Sequence, residues 1–461
     1  MLHFPSAFIL VFALTFGSAS TAETIQDYLK RSLHAEEIYQ ISEIEKTITE
    51  QEVRIASDLW TSALEFSHSG IDRDFTDSDE ISGTYQQSEV SLSQSLPSGT
   101  DINFNYSQDT TVSSGIAVEL ETYQISLSQD LWSNAFGEAD RKNRQRVRLL
   151  LDQQTHLTRL EKAKACVRSH SRFLETYTYQ QIMDIESSRA RQAQRVLDIS
   201  TSSYRKKLIP KLDYLSAQSD QIESESRVLS AEQNVEVSQA TLWTLIDPDL
   251  KQRPRLTDPL KAFQKLESER KTFRFENSLS YQAAIKNLDA LQAQVESVRS
   301  QYKNPLTFSL QASHKDFTNL NLTDQVIQAT LTFQWPFNNP TRDAEVRKAF
   351  DQHRQQKLQL RQTKKQVVEA HRQYESQLDK LRQRMDLVKK QLNLVKQQVG
   401  LALKRYENGR IEFVDYLQYR DQEVSLRSSY LQLGQQYWTS LISSLILTDQ
   451  LEALCFQEPH S

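Results

Sequence analysis

The stretch YENGRIEFVDYL (Tyr406–Leu417) has a second version, YRKKLIPKLDYL (Tyr204–Leu215), far upstream in the same chain. The two align without a gap, matching Tyr406 with Tyr204, Ile411 with Ile209, Asp415 with Asp213, Tyr416 with Tyr214 and Leu417 with Leu215. Their offset is 202 residues (406 − 204), which points to an internal duplication with a unit near that length. The flanking sequence agrees. ETYQISLSQDLWSNAFGEADRKNRQ (Glu121–Gln145) parallels DQVIQATLTFQWPFNNPTRDAEVRK (Asp324–Lys348), each an alternating strand, a Trp, an Asn-containing turn and a charged helix start. Upstream of each, Ile41–Trp60 and Ala283–Tyr302 read as matching helices. The phrase itself reads as a turn between helices, so each half is helix, strands, long helix, turn, helix.

Composition supports long helices. Nine glycines in 461 residues are about 2% of the chain against an ordinary share of ~7%, and glycine is costly inside helices. The net charge of −5 gives no nucleic-acid footprint. A mean hydropathy of −0.60 excludes a bundle of membrane-spanning helices. The first 22 residues form an export signal: Phe8–Phe16 is a short apolar run and Ser20-Thr21-Ala22 offers small residues for cleavage before Glu23. No cysteine lies near that cut, so N-terminal acylation is not expected. A mature chain entering a membrane would have to do so as strands closed into a barrel.

Period-two alternation marks the strands. In the second half Leu306, Phe308, Leu310 and Ala312 form one run, and Ile327, Ala329, Leu331, Phe333 and Trp335 another. The first half holds four candidates, Ser62–Ser69, Gln87–Leu96, Asp101–Ser107 and Val118–Leu131, with LPSGTD (Leu96–Asp101) as a hairpin turn. The polar face carries Ser, Thr, Gln and Asn with almost no charge, which suits a wet lumen opposite a lipid-facing apolar side. Trp60, Trp132 and Trp335 lie at strand–helix junctions and fit an interfacial aromatic girdle. A half-buried soluble sheet is the plainer reading of the same pattern.

From Pro340 to Tyr406 the seam Tyr374, Leu378, Leu381, Met385, Val388, Leu392, Val395, Val399, Ala402, Tyr406 steps by four and three, a coiled-coil repeat. A second stripe, Leu387, Leu394 and Leu401, lies beside it. Two stripes fit a helix with neighbours on both sides, or one wide buried face. Ala139–Tyr204 as a helix would span about 100 Å, nearly the sum of the shorter helices predicted over 31–58 and 213–243. The second half repeats this with 341–406 against 279–303 and 415–451. The chain therefore divides into a signal at 1–22, a first repeat at 23–250, a linking segment at 251–278 and a second repeat at 279–461.

On these features the chain resembles the outer-membrane factor family, the TolC-like efflux proteins. The resemblance covers nearly all of the mature chain and rests on the duplication, the strand pair with aromatic junction in each half, and the tip phrase Tyr-x-x-Gly-x-x-x-x-x-Asp-x-Leu. Tyr406, Gly409, Asp415 and Leu417 fit that phrase; the first copy has Lys207 at the glycine position and an added Pro210. The resemblance implies a mainly α fold with a membrane β-barrel part: a homotrimer whose long antiparallel helices form an α-barrel tunnel topped by a β-barrel in outer-membrane lipid. It implies a passive exit duct, not an enzyme, coupled through a periplasmic adaptor to an inner-membrane pump, with no cofactor and no nucleic acid. Nine scattered histidines show no metal spacing and no nucleophile motif is present, in keeping with that.

The resemblance also exposes departures. Four strands per protomer are typical, two per half, and the first half here carries more; the Leu96–Asp101 hairpin either lengthens extracellular structure or adds strands. Ser216 and Gln418 stand where a second tip acid is common, leaving Asp213 and Asp415 as six carboxylates per trimer, with Lys206, Lys207, Lys211 and Arg410 near enough to pair with them. The candidate tip or gate residues are thus Tyr204, Lys207, Asp213, Tyr406, Gly409, Arg410 and Asp415. Capping of the returning helix is the alternative role for Asp415. Cys166 and Cys455 fall at equal heights, about 57–60 Å above the tip, which permits a disulfide without requiring one. A soluble periplasmic coiled-coil scaffold and an adaptor protein are the rival assignments.

Overall fold

The computed structural model describes residues 23–57, 62–73, 83–113, 116–247, 254–317, 322–335, 339–408, 410–450 and 455. The predicted export signal, Trp60 and Gly409 lie outside them. Eight helices are described: α1 (Ile25–Ala35), α2 (Glu37–Ser57), α3 (Glu138–Arg205), α4 (Lys211–Thr244), α5 (Leu260–Ser268), α6 (Leu279–Gln301), α7 (Pro340–Glu407) and α8 (Phe413–Leu445). Six strands are described: β1 (Ser62–Arg73), β2 (Gly83–Leu96), β3 (Thr100–Ser113), β4 (Ile116–Asp130), β5 (Leu306–Phe317) and β6 (Leu322–Phe333).

The duplication is exact in the long helices: α3 and α7 each have 68 residues and begin 202 positions apart. At 1.5 Å per residue each is about 100 Å long. An asparagine starts both. The Asn134 Oδ1 accepts from the Ala139 N–H at 2.8 Å, and the Asn339 Oδ1 accepts from the Arg342 N–H at 3.0 Å with Pro340 in the first turn.

The strands form one antiparallel sheet in chain order, β1 to β6. Register rather than composition shows how it is built. One row crosses all six strands as Leu64, Leu92, Phe104, Ile125, Ala312 and Ile327. The neighbouring row on the opposite face reads Ala63, Ser93, Asn103, Ser126, Gln311 and Gln328. Because side chains alternate along a strand, a one-residue slip anywhere would mix these faces. The apolar face is solvent-exposed, with Leu64 at 75% and Ile327 at 80%.

The sheet settles what the 96–101 hairpin does. Its turn lies at the helix end of the sheet: a Cβ on Gly137, at φ 73°, would stand 2.3 Å from the Pro97 carbonyl oxygen, and one on Gly99, at φ 67°, would stand 2.9 Å from the Gly137 N. Only glycine permits this backbone contact at left-handed φ. The hairpin adds two strands to the sheet and is no extracellular extension.

With the sheet placed uppermost, α3 packs on α2 and α6 above and on α4 and α8 below, while α7 packs on α6 above and α8 below. The order across the upper tier is α2–α3–α6–α7, and across the lower tier α4–α3–α8–α7. At mid-height, where the short helices meet end to end, α1, α5 and the top of α8 enclose a core around Tyr28, Phe173, Trp243, Phe263, Leu441 and Ile442. The 251–278 segment contributes α5 to it. The helix predicted over 31–58 is broken at Glu36, whose backbone is extended. Its buried carboxylate receives Arg168 at 3.1 Å and Arg172 at 2.9 Å, an anchor that a continuous helix would not present. The last helix stops at Leu445, short of 451, because Asp449 turns left-handed after a 3-10 turn at Ile446–Thr448.

Cys166 of α3 and Cys455 are bonded, with S–S 2.00 Å and Cα–Cα 5.6 Å. The bond closes the chain back onto the mid-height core across 289 residues. Replacing both with serine should lower stability by about 2–5 kcal/mol. The measurement is thermal denaturation of the purified protein beside the wild type, with the shift in mobility on reducing and non-reducing gels as the control for the bond.

Candidate channel entrance

The lower ends of α3 and α7 are the two turns marked by the repeated phrase, and they close alike. The Leu208 N–H donates to the Ser203 carbonyl and the Arg410 N–H to the Arg405 carbonyl, each at 2.8 Å and each spanning five residues. This is the six-to-one bond of a Schellman cap. Lys207 adopts φ 58° at the position between, which explains why it aligns with a glycine. The Lys207 N–H reaches the Tyr204 carbonyl at 2.8 Å, the second bond of the same cap.

Inside the turns a small core holds Val196, Ala217, Ala402, Tyr406, Phe413 and Tyr416. Tyr406 shares a 2.7 Å hydrogen bond with Ser200, and its ring lies 5.4 Å from that of Phe413. Burial, and then the negative charge of Asp213, push the Tyr406 phenol up, against an opposing effect of the Ser200 bond. Tyr204 stacks on Tyr214 at 5.1 Å with nearly parallel rings.

Asp213 and Asp415 are the third residues of α4 and α8. Neither is the N-cap: Pro210 and Glu412 hold those positions, without side-chain cap bonds. Each aspartate is placed instead to favour the helix dipole from the first turn. Among the described residues of one protomer, neither is in an ion pair with Lys206, Lys207, Lys211 or Arg410. Arg410 and Asp415 are exposed and Asp213 is half-buried.

The ion pairs of this region lie deeper. Arg420 of α8 is 1% exposed and grips Asp220 of α4 with two hydrogen bonds of 2.5 and 2.6 Å. It also donates to Asp421 at 2.9 Å. Arg189 of α3, 2% exposed, reaches Asp421 at 3.0 Å and Asp220 at 3.9 Å. Burial works against the charge on Arg420, but the bonds to Asp220 and then Asp421 outweigh it and raise its pKa. Two arginines and two aspartates thus join α3, α4 and α8 just above the tip, binding one helical hairpin to the next.

The sequence reading missed this network, although a signal existed. Along α8 the buried positions Phe413, Tyr416, Arg420 and Glu423 step by three and four, as do Ala217, Asp220 and Ser224 along α4. Charges on an inward seam call for partners on facing helices.

At the other end, Trp132 lies 6.1 Å from Phe333, which lies 6.0 Å from Trp335. Both tryptophans are exposed, at the lower rim of the apolar sheet face. Tyr106, marked by alternation with Ile102 and Phe104, pairs with Tyr123 further up the same face at 4.9 Å between centroids, a contact that periodicity does not reveal.

Two substitutions test the entrance. Asp220→Ala removes the acceptor of two buried Arg420 hydrogen bonds, leaving Arg420 and Arg189 to share Asp421, and should cost about 3–5 kcal/mol, read from the melting temperature. Lys207→Gly should stabilise the turn by up to about 1 kcal/mol, because relief of about 1–2 kcal/mol of left-handed strain exceeds the added backbone entropy of about 0.5–1 kcal/mol.

Residues 275–443 match the family described as Outer membrane efflux protein. Among solved structures the chain is similar to CusC, with a TM-score of 0.70 and 11% identity over 96% of this chain and 98% of that one. It is similar also to the CmeC outer membrane channel of Campylobacter jejuni, at TM-score 0.66 and 11% identity over 97% and 93% of the two chains. The outer membrane protein VceC of Vibrio cholerae gives 0.65 and 11% over 93% and 95%. No curated protein matches in sequence. Its second half thus matches the outer membrane efflux protein family over residues 275–443, and along nearly its whole length the chain has the fold of these outer-membrane channels.

Proposed function

We propose that this protein is the outer-membrane exit duct of a tripartite efflux or type I secretion system. It is a passive channel, not an enzyme, and works as a homotrimer with its sheet in outer-membrane lipid and its helices in the periplasm. The observation that carries this is the continuity of two ~100 Å helices with a six-stranded sheet in which an apolar row, Leu64 to Ile327, runs across one face and a polar row, Ala63 to Gln328, across the other. A soluble scaffold or adaptor would leave that apolar face in water.

Three copies supply what each protomer lacks. The lower tier ends in α4 and α7, and each carries an unpartnered leucine-rich stripe at seven-residue spacing: Leu215, Ile222 and Leu229 on α4, and Leu387, Leu394 and Leu401 on α7. Heptads of this kind are coiled-coil seams, so α7 of one copy would pack on α4 of the next. The upper tier ends in α2 and α7. α2 holds five glutamates and two basic residues, whereas the first half of α7, 340–372, holds nine basic and four acidic ones. The two edges complement each other in charge. A head-to-tail contact of this type closes into a ring.

The tip would be the gate. Six carboxylates from Asp213 and Asp415 around a narrow mouth repel one another, and Arg410 is free to bond across protomers. The Arg189–Asp220–Arg420–Asp421 network makes the two hairpins of a protomer move as one body. A periplasmic adaptor, itself driven by an inner-membrane pump, would dock on the tips and spread them.

Membrane fractionation gives the first test: heat-modifiable trimers in the outer membrane are expected, and release with soluble periplasm would refute the reading. Leu394→Glu should convert those trimers to monomers. In planar bilayers Asp415→Ala and Arg410→Ala should each raise single-channel conductance; unchanged conductance in both would sink the gate while leaving the duct.

A further inference from the structure

The sheet carries a consequence for the size of the pore. We propose that three copies of this chain close an eighteen-stranded barrel, β1 of each pairing with β6 of the next, so that the outer-membrane section is as wide as the helical tunnel below it. This rests on the trimeric exit-duct reading.

β2 and β3 are integral to the wall. They pair along their full lengths with β1, with each other and with β4. They contribute Leu92 and Phe104 to the apolar row and Ser93 and Asn103 to the polar one. Their turn is fixed at the base of the sheet by the Gly99–Gly137 backbone contact, so both strands cross the whole apolar band. Among the described residues the second half, with β5 and β6, has no equivalent of this pair.

The edges require a partner. Among the described residues β1 pairs only with β2, and β6 only with β5. Both have 12 residues, and neither carries proline or lysine. Soluble proteins blunt such edges with those residues, and in hydrocarbon each unpaired backbone group costs several kcal/mol. A second copy meets both demands with a strand of equal length. In chain order β1 follows α2 and β6 leads to α7, so the strand edges lie over the helix edges that meet in the ring.

The dimensions agree. Six strands about 4.8 Å apart, tilted by about 40°, occupy an arc of about 38 Å. Four helices at about 10 Å occupy about 40 Å. Each protomer is therefore a sector of nearly constant width from tip to rim. Three such sectors give a barrel about 36 Å across the backbone, against about 24 Å for twelve strands. Barrels of 16–18 strands leave an aqueous channel. Cargo would then meet its constriction at the periplasmic tip and not in the membrane.

Electron cryomicroscopy of the detergent-purified full chain in lipid nanodiscs tests the strand count directly. A trimer with eighteen strands is expected. A trimer with twelve, β2 and β3 lying outside the wall, would overturn the proposal and leave the exit-duct reading intact; an assembly other than a trimer would overturn both. Cysteine labelling gives a second readout on heat-modifiable trimers in liposomes, with Cys166 and Cys455 held in their disulfide. A charged, membrane-impermeant maleimide should modify Ser93→Cys and Asn103→Cys at least about tenfold faster than Leu92→Cys and Phe104→Cys, because lumen and lipid faces alternate along each strand. Equal rates at all four positions would mean that the hairpin stands in water, and would refute the eighteen-stranded wall.

Discussion

Hydrocarbon offers a backbone N–H nothing to bond with, and that constraint organises the whole molecule. A six-stranded sheet with two open edges cannot end in lipid. The same two boundaries recur at every level: α2 or α4 from the first half on one side, α7 from the second half on the other, and β1 and β6 above them. The duplication makes this economical. Long helices of equal length in the two halves let one set of edges run straight from tip to rim, so in the proposed trimer a single kind of contact would serve coiled coil, charged mid-section and strand ladder.

Below the membrane a different balance holds. Above and below the mid-height core the described helices form a single layer, so each buries little. Specificity then comes from a few polar groups placed on apolar seams. Asp220 and Arg420 are such a pair, and Glu36 with Arg168 and Arg172 is another. Ion pairs of this kind contribute modestly to stability but penalise any misaligned packing, because a shift strands a buried charge. The Asp220–Arg420 network ties α3 to α4 and α8, and the Glu36 pairs tie α3 to the junction of α1 and α2.

The architecture was legible from periodicity and repetition. The gapless phrase at 202 residues placed both turns, and alternation found all six strands, because one-sided burial leaves a two-residue period. The paired asparagines at the strand–helix junctions proved to be helix-starting residues in both halves. Other features were hidden for physical reasons. A side chain at Glu36 that breaks a helix to reach two arginines more than a hundred residues away leaves no local trace. The fate of the 96–101 hairpin depended on Gly99 meeting Gly137, a contact between backbones that composition does not encode. Tyr106 and Tyr123 read as ordinary alternating residues until register put them side by side.

The bond between Cys166 and Cys455 has one further consequence, for timing. Cys166 lies in the first long helix and its partner follows the last one, with 289 residues between them. Thiols stay reduced in the cytosol and pair only in an oxidising compartment, so the first half reaches that compartment with an unmatched cysteine and keeps it until the second half has arrived. Formation of the bond therefore requires both ends of the chain to have reached the same oxidising compartment.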